Sequence, residues 1–121
     1  MKYKLPKGVH ELSLRPYCGR VFICESKELC AKAYKIIYGQ SVAISEHSGG
    51  KFYAGNDRND IYTYLIWAND IPKWAHEIQH VILDLLPNLG FDLNNTACDE
   101  AACYLMQALL SDVIALIYEP M

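Results

Sequence analysis

The sequence predicts a single α+β domain built from three or four short, mostly antiparallel strands and three helices. Three observations lead to this prediction. A chain of 121 residues is long enough for one hydrophobic core and too short for two. Short runs of β-branched and aromatic residues, typical of buried strands, alternate with longer stretches that have apolar residues at helical spacing. No repeat, linker or low-complexity tract divides the chain, so we expect one domain over residues 1–121.

The first part of the chain predicts two strands followed by a helix. A short strand is expected at Val9–Leu14, where the residue types alternate with the two-residue period of a strand. A buried strand is expected at Arg20–Glu25. Ser26 then has the character of an N-cap, and Gly39 that of a helix stop, which together delimit a helix over residues 27–38.

The middle of the chain predicts a hairpin and one further strand. We expect a strand at Gln40–Glu46 that turns at Ser48-Gly49-Gly50 into a short strand at Lys51–Ala54. A polar turn follows at residues 55–60. The run Ile61–Trp67 is the strongest strand in the sequence, because nearly all of its residues are β-branched or aromatic.

Two helices are expected in the remaining part, the first ending at Leu86 and the second covering residues 97–118, with a loop at 88–95 between them. The signals are Asp70 as a cap, Pro72 in the first turn, Pro87 as a stop, and Thr96 as a second cap with Asp99 three residues on.

Composition narrows the classes of function. The formal charge of −3 offers no basic surface for nucleic acid. The N-terminus lacks the apolar core of a signal peptide, and the longest apolar run near the C-terminus, Val113–Tyr118, is too short to span a membrane. Five cysteines without a regular framework favour free thiols in a reducing compartment. We therefore expect a cytoplasmic protein without nucleic-acid or membrane partners.

The stretch that suggests chemistry is His76-Glu77-Ile78-Gln79-His80, a His-Glu-x-x-His motif inside a predicted helix. Two imidazoles four positions apart lie about 40° apart around a helix, one turn above the other, so both can reach one metal ion. Glu77 lies on the same polar side, where a carboxylate can act on a metal-bound water. This spacing is typical of a catalytic zinc site.

The same residues have a simpler interpretation. An amphipathic helix would also have a polar, solvent-exposed face here, opposite a continuous apolar face. The residues of that polar face are Lys73, His76, Glu77, His80 and Asp84. That apolar face comprises Trp74, Ile78, Val81, Ile82 and Leu85. On this interpretation the chain is a structural protein without a metal.

A zinc site of this kind needs a third protein ligand. Glu100 is the best placed, because it opens the last helix on a polar stripe with Tyr104, Gln107 and Ser111 in an otherwise apolar helix. Glu100 could instead stabilise the N-terminus of that helix. The other downstream candidates are Asp84, Asp92, Asp99 and the weakly spaced pair Cys98/Cys103.

His76-Glu77-x-x-His80 followed by Asp99-Glu100-Ala101-Ala102 resembles the gluzincin arrangement of thermolysin-like metallopeptidases. The segment from Asp99 to Leu105 is also similar to small His-Glu-x-x-His proteins of bacteriophages and prophages. The resemblance covers roughly residues 61–111 and implies a zincin-like fold, in which an edge strand runs beside the motif helix and Ile61–Trp67 lies close to the cleft.

The resemblance also implies roles for individual residues. His76, His80 and Glu100 would be the ligands of Zn²⁺, and Glu77 would be the general base toward a zinc-activated water. Tyr104 stands where thermolysin-like enzymes have an aspartate that orients a histidine ligand, so it would act as an outer partner of the site. No oxyanion-stabilising residue is evident. The candidates by residue type are His10, His47, Arg58, Tyr62 and Tyr64.

The function predicted on these grounds is a minimal zinc metallopeptidase or metal-dependent hydrolase acting on an unidentified peptide or protein. The alternative is a catalytically silent zinc-binding protein of the same fold that acts as an interaction module between phage and host, in the bacterial cytoplasm. An apolar surface left on the last helix would also support a homodimer. Its residues are Leu109, Leu110, Leu116 and Ile117.

Overall fold

The protein is an α+β structure with a four-stranded mixed sheet and three α-helices. The computed structural model describes residues 3–14, 17, 19–92, 94 and 96–119, with only the backbone of residues 96–98. The strands are β1 (Val9–Leu12), β2 (Arg20–Cys24), β3 (Gly50–Asn56) and β4 (Tyr62–Ala68). The helices are α1 (Lys27–Tyr38), α2 (Ile71–Asn88) and α3 (Thr96–Val113), and a π-helical turn (Ile114–Tyr118) follows α3.

The strand order is β1-β2-β4-β3, and the sheet separates two layers of helices. β1 pairs antiparallel with β2, β3 pairs antiparallel with β4, and the central pair β2–β4 is parallel. Because successive side chains of a strand point to opposite faces of the sheet, each central strand contributes side chains to two cores. One core lies between the sheet and the α2–α3 pair, and the other lies under α1. The prediction of a mostly antiparallel sheet is therefore confirmed, since two of the three strand pairs among the described residues are antiparallel and only the central pair is parallel.

The first helix begins and ends where its capping residues predict. The Ser26 side chain accepts a hydrogen bond from the Leu29 amide at 3.2 Å. Gly39 has a φ of 83°, and its amide donates to the Lys35 carbonyl. A left-handed residue directly after the last helical turn is favoured only for glycine, which is why Gly39 fixes this boundary.

The strand predicted at Gln40–Glu46 is wrong. Residues 41–45 have no regular secondary structure, and among the described strands β3 pairs with β4 and not with this segment. Ile44 instead packs against the core under α1. The predicted turn at residues 48–50 is likewise not a hairpin, because β3 begins at Gly50 and turns back into β4 through residues 57–61.

The β3–β4 turn depends on the carboxylate of Asp57, which is 7 % exposed. It accepts hydrogen bonds from the amides of Asn59 (2.8 Å) and Ile61 (3.0 Å) and from the Thr63 hydroxyl (3.3 Å). Burial alone would raise the pKa of Asp57, yet these hydrogen bonds, together with one from Tyr3, hold its pKa below the ordinary value. The turn that sets the register of the edge strand is thus held by one buried charge.

The motif helix continues past Pro87, which the sequence predicts as its stop. The stop is Gly90, whose φ is 93°. The Phe91 amide donates to the Leu86 carbonyl and the Gly90 amide to the Pro87 carbonyl, each at 3.0 Å. This is the hydrogen-bond pattern of a Schellman motif, and it satisfies the last carbonyls beyond the proline.

The last helix is mostly exposed. It packs through one buried stripe of Leu105, Leu109 and Val113, so Leu109 belongs to the core and not to a free surface as predicted. The predicted Thr96 cap rests on a side chain outside the described residues. Among the residues that the structure describes, Asp99–Tyr118 is the one helical stretch long and apolar enough to cross a membrane, by length and composition alone.

The thiols of Cys24, Cys30 and Cys103 are free. Cys24 and Cys30 are buried together in the core under α1, and the hydrogen bond with Cys30, followed by burial, raises the pKa of Cys24 far above its usual range. Cys103 is exposed on α3. The side chains of Cys18 and Cys98, the latter a candidate ligand with Cys103, lie outside the described residues.

Candidate metal site

The motif helix begins at a well-formed cap and packs firmly on the sheet. Asp70 accepts a hydrogen bond from the Lys73 amide at 2.9 Å, and Pro72 occupies the first turn, as predicted. The predicted apolar face is also confirmed, since Trp74, Ile78, Val81, Ile82 and Leu85 are all buried. This anchoring fixes the direction in which the opposite side of the helix presents its polar residues.

The two histidines converge on one point at the surface of α2. Their Nε2 atoms lie 3.2 Å apart, and the rings meet edge to face with centroids 4.8 Å apart. An ion about 2.0–2.1 Å from each nitrogen would see them at an angle of about 100°, between the tetrahedral and octahedral values. The distance between the two nitrogens therefore suits two ligands of a single metal ion.

Glu77 supplies a carboxylate beside the two imidazoles. Ligand atoms of His76, Glu77 and His80 all lie within 4.8 Å of one another, and no other such cluster of three occurs in the described part of the chain. The histidines are exposed, whereas Glu77 is 7 % exposed. Burial raises the pKa of Glu77 above its usual value, and His76, His80 and Lys51 act in the opposite direction. The structure thus holds a candidate metal site.

The edge strand β3 lies beside this site and shapes it. The Phe52 ring stacks on the ring of His80, with centroids 5.3 Å apart and planes inclined by 28°, and it also stacks on Tyr64. Gly50 lies so close to the motif helix that an added Cβ would be 2.9 Å from Oε2 of Glu77 and 3.1 Å from the Trp67 carbonyl. A pocket of about 460 Å³ opens there, lined by Gly49, Gly50, Pro72, Lys73, His76 and Glu77.

We expect Gly50→Ala to lower the free energy of unfolding by about 1–3 kcal/mol and to weaken metal binding, because the new methyl group must displace Glu77 or the β4 backbone. Gly49→Ala is the matched control, since its Cβ would meet only the flexible end of the Lys73 side chain. Urea unfolding curves of both variants measure the difference. Equal effects in the two variants would contradict the close approach at Gly50.

Asp84, one of the alternative third ligands, already accepts hydrogen bonds from three other side chains. Its Oδ2 accepts hydrogen bonds from the hydroxyls of Tyr62 (3.0 Å) and Tyr64 (2.8 Å) and from the side-chain amide of Asn88 (3.4 Å). Burial, followed by the hydrogen bond to Asp84, raises the pKa of both tyrosines. This network joins the motif helix to β4 one turn beyond His80.

Glu100 does not belong to the group of three. It is exposed on α3, as are Tyr104, Gln107 and Ser111, and this stripe lies on the side of the helix away from the buried residues Leu105 and Leu109. The assignments of Glu100 as the third ligand and of Tyr104 as its outer partner therefore stay predictions. Asp92 and Asp99 are also exposed and outside the group.

Most of the residues considered for oxyanion stabilisation make hydrogen bonds to groups outside the metal site. His10 binds Glu25 at 2.7 Å, and Arg58 donates to the Ile36 carbonyl at 3.4 Å. Tyr62 and Tyr64 donate to Asp84. Sequence reasoning missed Phe52 and Gly50. The adjacent Gly49-Gly50 pair was a signal for close backbone approach, but its partner in space was not evident from the sequence.

Comparison of the chain with known proteins finds no matching family model, no matching curated protein and no matching solved structure. The class of protein is therefore defined by its own geometry. It is an α+β protein with a four-stranded mixed sheet and a candidate His-Glu-His metal site on one helix.

Proposed function

We propose that this protein is a zinc-dependent hydrolase of peptide bonds with a zincin-like arrangement. The observation that carries the proposal is the convergence of the His76 and His80 Nε2 atoms at 3.2 Å beside the buried carboxylate of Glu77. Two neutral imidazoles that can hold a metal ion, with a carboxylate beside them that can act on a metal-bound water, are the arrangement that a catalytic zinc site needs. Zinc bound there would supply a Lewis acid and lower the pKa of a coordinated water.

The chain's own residues divide the remaining tasks. His76 and His80 hold the ion, and the stacked ring of Phe52 restricts the orientation of His80. The Glu77 carboxylate, screened from solvent, takes a proton from the attacking water and returns it to the leaving amine. Of its two edges, β3 uses one to pair with β4, so its other edge offers backbone groups to an extended peptide beside Glu77.

The proposed third ligand, Glu100, can be tested separately from activity. We expect Glu100→Ala to lower zinc affinity by at least about 100-fold if this carboxylate completes the site, since even outer partners of ligands contribute 10–100-fold. Asp84→Ala is the alternative, and Asp92→Ala is the control on an exposed carboxylate. Zinc affinity is measured by competition with a chromophoric chelator. Full affinity in Glu100→Ala would exclude Glu100 as a ligand.

Catalysis is tested by Glu77→Gln, which keeps the shape and removes the base. We expect the zinc-loaded wild type to cleave an unstructured protein such as casein, and Glu77→Gln to keep its zinc but lose cleavage by at least about 100-fold. Cleavage is followed by release of labelled fragments. Equal cleavage rates at equal zinc content would remove Glu77 from the mechanism.

A second candidate function is a metal-binding interaction protein that does not cleave, of the kind that acts between phage and host. One observation favours it. Tyr64 stacks on Phe52, which stacks on His80, and the hydroxyls of both Tyr62 and Tyr64, which were candidates for oxyanion stabilisation, donate to Asp84 instead. Wild-type protein that holds one zinc per chain and cleaves no unstructured substrate would support this candidate against the hydrolase.

A further inference from the structure

The outer surface of α3 and of the turn after it is uncovered, and it combines the polar residues Gln107 and Ser111 with exposed aromatic and aliphatic residues. In the stretch Asp99–Tyr118 only Leu105, Leu109 and Val113 are buried, although the composition of the stretch is that of a membrane-spanning helix. We call this the α3 outer surface and define it by its exposed residues. They are Tyr104, Gln107, Ala108, Ser111, Ala115 and Leu116. Tyr104 is 66 % exposed and Leu116 is 38 % exposed, so large apolar groups face the solvent.

Charge is divided unevenly between the two parts of the chain. All 11 Lys and Arg residues lie at or before Lys73, with 7 of the 14 acidic residues, so residues 1–73 have a formal charge of +4. Residues 74–121 contain the other 7 acidic residues and no Lys or Arg, which gives −7 and accounts for the total of −3. Asp112 and Glu119 are exposed along the α3 outer surface. An apolar surface with an acidic border and no cation selects for a basic partner.

An acidic pocket lies at the C-terminal end of the same surface. It has a volume of about 440 Å³, and Ile117 and Tyr118 of the π-helical turn form part of its wall. Three carboxylates line it, those of Glu25, Glu28 and Glu46, together with Lys27, and Glu25 is also bound to His10 at 2.7 Å. Trp67 also lines the pocket. Carboxylates next to aromatic rings suit the ammonium or guanidinium group of a basic side chain.

We propose that the α3 outer surface and this pocket bind an amphipathic helix with an apolar face and Lys or Arg at its border. The apolar face packs along Ala108 and Leu116, and a basic side chain enters the glutamate-lined pocket. An anionic bilayer is disfavoured, because it would meet the acidic border, and because membrane insertion would withdraw Leu105, Leu109 and Val113 from the core. Pairing of two copies through this surface would bring the two acidic parts together.

Two labelled model peptides test the proposal by fluorescence anisotropy. One is an amphipathic helix of Leu and Lys, and the other has Glu in place of Lys. We expect the Leu/Lys peptide to bind and the Leu/Glu peptide not to bind. Leu116→Asp should weaken binding of the Leu/Lys peptide about tenfold. Leu89, the C-cap residue of α2, has a similar exposure (42 %) and is not part of the α3 outer surface, so Leu89→Asp should leave binding unchanged. Ala108→Glu is a second variant on the surface, and circular dichroism checks that each variant is folded.

The Leu116→Asp variant separates docking from simple charge attraction. It adds a negative charge, so non-specific attraction of a cationic peptide would become tighter, whereas docking on an apolar surface becomes weaker. Tighter or unchanged binding in both Leu116→Asp and Ala108→Glu would overturn the proposal. Two further results would also overturn it. One is sedimentation of the wild type as a dimer that Leu116→Asp dissociates, and the other is equal binding to anionic vesicles in the absence of peptide.

Discussion

Replacing either His76 or His80 with alanine is expected to abolish stoichiometric metal binding, with a loss of affinity of at least about 100-fold. The two Nε2 atoms lie 3.2 Å apart, so each variant leaves a single imidazole at the exposed end of the site. One imidazole with one buried carboxylate is a poor zinc ligand set. The measurement is metal content after dialysis, followed by competition with a chromophoric chelator.

Gln79→Ala is the matched control for the histidine variants. Gln79 lies on the same helix between the two histidines, is exposed, and does not belong to the group of three. Metal should also raise the stability of the wild type by about 2.7 kcal/mol at a free concentration 100 times the dissociation constant, and this gain should vanish in His80→Ala. Full metal content in both histidine variants would mean that His76 and His80 are only the wet face of an amphipathic helix.

Trp74→Ala is expected to lower the free energy of unfolding by about 3–5 kcal/mol, a large part of the 5–15 kcal/mol typical of a domain. Trp74 is fully buried, and it packs in the core between the sheet and the α2–α3 pair. Alanine at this position leaves a large cavity directly under the turn that presents His76 and Glu77. Urea unfolding with an unchanged dependence on denaturant would show that the effect is on stability alone.

Trp74→Phe and Leu83→Ala are the comparison variants, and both should lose less stability than Trp74→Ala. The indole Nε1 of Trp74 has no hydrogen-bond partner among the described residues, so phenylalanine removes volume without breaking a hydrogen bond and should cause the smaller loss. Leu83 lies on the same helix but is 50 % exposed, so its truncation should change stability by less than about 0.5 kcal/mol. A Trp74→Ala effect as small as that of Leu83→Ala would contradict the assignment of Trp74 as the anchor of α2.

The sequence by itself determined the features that depend on neighbouring residues. Ser26 and Gly39 bound α1 because a cap and a left-handed stop act within one helical turn. The spacing of His76 and His80 placed both imidazoles on one side of α2 for the same reason, and the β-branched and aromatic residues of β4 identified the central strand.

Only the tertiary structure decided which strands pair and what surrounds the site. The parallel pairing of β2 with β4, and the packing of Ile44 against the core under α1 in place of a strand at residues 40–46, involve residues far apart in the chain. The burial of Glu77 depends in the same way on the approach of Gly50, and the engagement of Asp84 depends on Tyr62 and Tyr64. Local backbone geometry is encoded by adjacent residues, whereas the environment of a side chain is set by packing between distant segments.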